Sequence, residues 1–184
     1  IYGYFSFSLR LQIGIRYIFP IIFLIYVLTA KKLAEQIKFS FLFIPFFLMI
    51  IYSLTSTFPY YLSFFNTIGG GTAQGYKIAT DSNYDWLGQD VKRLAKWVKE
   101  NEIKKIYTQV FTNVPLGYYL GEAYQPYDIT KDPIPPSGSY IAVSAFALQH
   151  INHDKYLPES KKYFQFENNL VKRVGTSIFI FKVD

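Results

Sequence analysis

The sequence predicts a membrane α-helical stem of two transmembrane helices, followed by a small extracytoplasmic α/β domain that closes on a β-hairpin. Three observations carry this. Two apolar stretches stand near the start, and residues 17–30 and 39–57 contain no charge. The basic excess is concentrated beside them: residues up to Ser56 carry +4 of the formal +6. After residue 81 the pattern changes to alternating helix-like and strand-like periods. The expected organisation is a membrane segment over 1–57 with spans at about 11–30 and 39–57, an interface and Gly-rich link over 58–80, and an α/β domain over 81–184.

The first stretch, YIFPIIFLIYVLTA, is short for a crossing that needs about 20 apolar residues. Extending it back to Leu11 gives the length and places Arg16 near one membrane face. The second is about one full span of Phe, Leu and Ile, and it includes Pro45. Buried core helices are the alternative for both. Lys31, Lys32 and Lys38 between them predict a cytoplasmic loop, which would place everything after Thr57 outside the cytoplasm. Phe58-Pro59-Tyr60-Tyr61-Leu62 reads as an aromatic interface collar. Ile68 to Gly75 is a turning link that lacks the Lys-Ser/Thr of a phosphate loop.

In the second half, Leu87, Val91, Leu94, Ala95 and Val98 share one helix face, so a helix is expected over 85–101. Ser82 followed by Asp85 can open it as a variant capping box. Residues 104–110 and 139–145 read as strands, 114–120 and 146–151 as short helices, and 132–138 as a loop. Residues 170–174 and 177–183 flank Gly175-Thr176 as a hairpin. Ile178-Phe179-Ile180-Phe181 is apolar at every position, as in a strand covered on both faces.

Composition excludes several classes. There are no cysteines, hence no disulfides and no thiolate metal site. The positive charge sits away from the α/β half, which argues against a nucleic-acid surface. The opening Ile1-Tyr2-Gly3-Tyr4 has no signal-peptide pattern and reads as the middle of a longer protein.

The richest segment is Asp81-Ser82-Asn83-Tyr84-Asp85-Trp86. Carboxylates and an amide bond sugar hydroxyls, and an indole packs on a sugar ring. The structural alternative is a helix cap and a turn. Asp81-x-Asn83-x-Asp85 imitates a calcium loop, but Trp86 and Lys92 stand where Gly and Glu are required, so no metal site is assigned. His150 and His153 lack an evident third ligand and read as a surface pair. Tyr118, Tyr119, Tyr124 and Tyr127 can serve an interface belt or a sugar-stacking surface.

Gly14-Ile15-Arg16-Tyr17 followed by Pro20, Pro59-Tyr60-Tyr61-Leu62-Ser63-Phe64-Phe65-Asn66 with Gly69-Gly70, Asp81 to Trp86 with Gly88-Gln89-Asp90, and Gly175 to Phe181 occur in this order. Together they resemble the C-terminal part of the protein mannosyltransferase-like enzymes of glycosyltransferase family 39, with the GT-C fold. Here Leu87 intervenes between Trp86 and Gly88, which turns later side chains by about 100° on a helix.

The resemblance implies transfer of a sugar from a polyprenyl-phosphate donor to an extracytoplasmic acceptor, by an integral protein of a prokaryotic plasma membrane in contact with membrane lipid. It implies no cofactor. It places the catalytic acidic residues in an N-terminal loop outside this chain, so the chain alone is expected to be inactive. The candidate substrate-binding set is Arg16, Tyr17, Tyr61, Asp81, Asn83, Asp85 and Trp86. Arg16 would hold the carrier phosphate, or else serve as a snorkelling anchor. The alternative function is a membrane-anchored, non-catalytic domain that recognises envelope glycans or protein partners.

Overall fold

The computed structural model describes residues 18–36, 41, 43–78, 80, 84–85 and 87–184. The chain divides into two compact units, Ile1–Ser56 and Thr57–Asp184.

In the first unit α1 spans Phe19–Gln36 and α2 begins at Phe43 and runs to Thr57. Pro20 and Pro45 both fall in a first turn, where a missing N–H costs nothing. Thr29 and Thr55 hydroxyls donate to the carbonyls of Ile25 and Ile51, at 2.7 and 2.9 Å. That back-bonding satisfies a polar group inside an apolar helix.

These helices correct the expected membrane stem. Lys31, Lys32 and Glu35 do not lie in a loop but continue α1, so its last six positions are charged or polar over half their number. The 15 residues of α2 extend about 22 Å, short of the roughly 30 Å hydrocarbon layer. Among the described residues no helix is long and apolar enough to cross a membrane. The two transmembrane helices, the integral-membrane location and the extracytoplasmic placement derived from them therefore lose their basis. Positions 11–17, 39–40 and 42 of the expected spans lie outside the described residues.

In the second unit the period-two segments pair into one five-stranded sheet. The strands are β1 Ile106–Gln109, β2 Tyr124–Pro126, β3 Tyr140–Ser144, β4 Leu170–Val174 and β5 Ile178–Lys182, in the order β2-β1-β3-β5-β4. β2, β1 and β3 are parallel, while β5 runs antiparallel to both β3 and β4. The uninterrupted Ile178-Phe179-Ile180-Phe181 run is explained by alternation. Ile178 and Ile180 enter the core on one face with Ile106, Ala142 and helix α4, Val91–Glu100. Phe179 and Phe181 enter the core on the other with Ile141, Val143 and helix α6, Ala145–Asn152.

Helix α4 is Val91–Glu100 and buries Val91, Leu94 and Val98. Helix α5, Leu116–Leu120, adds Leu116 and Leu120 to the same layer. Helix α6, Ala145–Asn152, follows β3 directly, with Ser144 as its cap. It shares its layer with the 3-10 segment Tyr163–Asn169, whose Tyr163 and Phe166 are buried. A one-turn helix α3, Gly71–Gln74, forms within the Gly-rich link.

The helix expected over 85–101 starts six residues late. Gly88 sits at φ +62°, and a Cβ there would stand 2.5 Å from Val114 Cγ2. The chain turns twice, through Gly88 N–H to Asp85 C=O (2.8 Å) and Val91 N–H to Gly88 C=O (3.0 Å). The turns free two carboxylates for distant work. Fully buried Asp90 accepts from the Thr176 amide, the Ser177 amide and the Ser177 hydroxyl at 2.9, 3.0 and 2.8 Å. Its other oxygen pairs with Arg93 at 2.7 Å. Gly175 is required beside it, because a Cβ there would lie 1.9 Å from Asp90 Oδ1.

Candidate functional site

In a parallel sheet, ligands settle outside the carboxyl ends of the strands, where successive connections leave in opposite directions. Here the chain leaves β1 toward β2 on one side, and β3 then joins β1 on its other side. The crevice is thus expected above Gln109, Pro126 and Ser144, the last residues of the three parallel strands. An open cavity of about 430 Å³ occurs there. A wider groove of about 920 Å³, between α4 and α5, lies by the residues that lead into β1 and β2, at the opposite ends of the strands.

The cavity has an aromatic wall and a polar floor. Phe111, just after β1, meets Phe146 in the first turn of α6 with ring centroids 4.8 Å apart. His150, one turn on, stacks on Phe146 at 5.8 Å and 7°. Phe111 and His150 are exposed and Phe146 is half-buried. The floor holds Gln109, Tyr127 and Asp128. Gln109 donates to Asp128 Oδ1 at 2.9 Å, accepts from the Ile129 amide at 3.1 Å, and accepts from the Tyr163 hydroxyl.

Asp128 is held below the usual carboxylate range. Burial pulls its pKa upward, but the Thr130 hydroxyl and amide and the Lys131 ammonium outweigh it. Tyr127 is 6% exposed, and its hydroxyl has no hydrogen-bond partner. Burial, with Asp132 and Asp128 nearby, pushes its phenol up to about 12, so it remains a proton donor. Tyr127 lines the cavity through its other atoms, because the hydroxyl itself is closed to solvent.

Asp85 anchors the wall from behind. It is 2% exposed, and its Oδ2 accepts from the Phe146 amide at 2.6 Å. Its Oδ1 is unpartnered. Burial pushes its pKa up to about 7, and the like charge of Asp90 adds to this, against the Phe146 amide and the nearby Ser144 hydroxyl. Ser144 Oγ also accepts from the Phe111 amide at 3.1 Å. One cap residue and one buried carboxylate therefore fix both rings of the wall.

Of the candidate set, Asp85 lies beneath this crevice as a positioning group, too buried to touch a ligand itself. Tyr61 is in a 3-10 turn, Tyr61–Ser63, with its ring edge-on to Phe58 at 6.2 Å. It lines neither this cavity nor the cleft beside Arg173. Arg16, Tyr17, Asp81, Asn83 and Trp86 lie outside the described residues. Among the described residues no group of three or more His, Asp or Glu could hold a metal. The sequence reading named Tyr127 for an interface belt or a sugar-stacking surface and missed Phe111, Phe146 and Gln109. The signal that could have found them is position, since Gln109 ends β1 and the two rings follow parallel strands by two residues.

Comparison with protein-family models, with curated proteins and with solved structures finds no match for this chain.

Proposed function

We propose that the α/β unit is the sugar-recognising part of a glycosyltransferase, and that the crevice at the carboxyl ends of β1 and β2 holds a saccharide ring. The observation that carries this is the crevice wall: an exposed ring, Phe111, and a half-buried one, Phe146, in a crevice that also holds an amide and an ionised carboxylate. A sugar offers an apolar C–H face to the rings and hydroxyls to the polar groups. Asp128 accepts from a sugar hydroxyl. About 430 Å³ suits one or two sugar rings.

The transferase part of the reading draws on the motif order that resembles glycosyltransferase family 39. On that resemblance the saccharide belongs to a polyprenyl-phosphate-linked donor or to its acceptor. The crevice recognises and orients, and Asp85 keeps its wall in place.

The test is a titration of the protein with short oligosaccharides of mannose, glucose and galactose, followed by amide chemical shifts. Shifts should concentrate at Gln109, Phe111, Tyr127 and Phe146. Phe111→Ala should weaken binding by about tenfold or more, the loss of one ring contact, with an unchanged circular dichroism spectrum. An absence of shifts with every sugar, or shifts that Phe111→Ala leaves intact, would overturn the reading.

A further inference from the structure

A second cleft, of about 630 Å³, lies on the α6 side of the sheet, bounded by the 3-10 segment Tyr163–Asn169, the β4–β5 hairpin and residues 74–77. Its most unusual member is Arg173 of β4. The guanidinium donates to the carbonyls of Thr176 (3.0 Å), Thr72 (3.3 Å) and Ala73, and it lies 4.8 and 4.9 Å over the rings of Tyr76 and Phe179. These contacts pin the charge in place without neutralising it. Among the described residues no carboxylate stands within ion-pair distance of Arg173. A half-buried cation held rigid and uncompensated favours an anion brought from outside.

The rest of the cleft narrows the ligand. Lys77 adds a second cation, and among the described residues exposed Glu167 is the single carboxylate lining it. Phe164 offers a ring face at 46% exposure. His153 sets its imidazole edge-on to that ring at 6.1 Å. Asn152 spends its carbonyl oxygen on the Tyr163 amide at 2.7 Å, which leaves its amide nitrogen available. The arrangement combines a cationic end, a ring face and amide donors.

We infer that this cleft is a second binding site, separate from the crevice, and that it takes an acidic saccharide: a sugar ring bearing a carboxylate or phosphate, with the anion toward Arg173 and Lys77 and the ring against Phe164. The site does not depend on what the crevice holds.

Calorimetric and amide-shift titrations with glucuronic acid, glucose 6-phosphate and glucose test it. At least one acid should bind about tenfold or more tightly than glucose, and added salt should weaken it. Shifts should fall on Phe164, His153 and Gln149. Preference for glucuronic acid identifies a carboxylate ligand, and preference for glucose 6-phosphate a phosphate ligand. Lys77→Ala should weaken acid binding and Glu167→Gln should strengthen it. Both side chains are exposed, so both variants keep the fold. Acids binding no tighter than glucose, shifts that map to Phe111 and Phe146, or affinities unmoved by both substitutions would overturn the inference. Loss of the crevice reading would appear separately, as absent shifts at Phe111 with neutral sugars.

Discussion

Asp85 should make this fold less stable as pH rises from acid toward neutrality, and Asp85→Asn should abolish that effect. The carboxyl goes from 3.8 in the unfolded chain to about 7 in the fold. With the folded value above the unfolded one, the native state retains a proton that the unfolded chain has already released. Stability therefore falls as pH climbs from about 4 to about 7 and levels off beyond it. Each pKa unit is worth about 1.4 kcal/mol, so the full penalty is at most about 4 kcal/mol. An Asn oxygen can still accept from the Phe146 amide. Its NH2 replaces the unpartnered Oδ1 and leaves one buried donor unsatisfied, at about 1–3 kcal/mol. Urea unfolding of both proteins in a pH series from about 5 to about 8 reads the difference. The variant should gain on the wild type up to about pH 7 and be at least as stable beyond it. Parallel pH profiles, or a wild type that gains on the variant with rising pH, would refute the reasoning. Asp128 acts with the opposite sign and in another window. Its depressed pKa favours the fold above the unfolded value and loses that contribution only in acid.

Asp90→Ala should cost about 3–5 kcal/mol, because it strips the Thr176 and Ser177 amides of their buried acceptor. The measurement is the urea midpoint, with Arg93→Ala as a control for the exposed half of the pair. Tyr127→Phe removes a hydroxyl that bonds nothing in the fold. The melting temperature should hold or rise by the equivalent of about 1 kcal/mol. A destabilised Phe variant would mean that the hydroxyl serves the fold instead.

The sheet was legible because its strands are short, apolar and bounded by turns. Residues 104–110, 139–145 and 170–183 carried the right period, and the pairs formed within them. β2 was missed: Tyr124-Gln125-Pro126 is three residues long and has no alternation to read. The start of α4 was misplaced because local capping signals at Ser82 and Asp85 compete with long-range demands. Asp85 is drawn to α6 and Asp90 to the hairpin, both far along the chain. The apolar stretches misled for a different reason. Composition resembled a span, while length and charge position did not: α2 ends after 15 residues, and α1 runs on through its lysines. The crevice was the least legible part. Phe111 and Phe146 stand far apart in sequence, and only the parallel pairing of β1 with β3 makes them neighbours.

The position of β5 has a consequence for how the chain reaches this state. It is the latest strand in sequence order, yet it is hydrogen-bonded on both sides, to β3 and to β4. A ribosome-bound chain can form β1, β2 and β3 early. It cannot join the hairpin to them, or close either apolar layer over Phe179 and Ile180, until Lys182 has emerged. Assembly of this unit therefore waits for its fifth strand, and chains cut short before Ile178 should be held by chaperones and proteases instead of accumulating as folded protein.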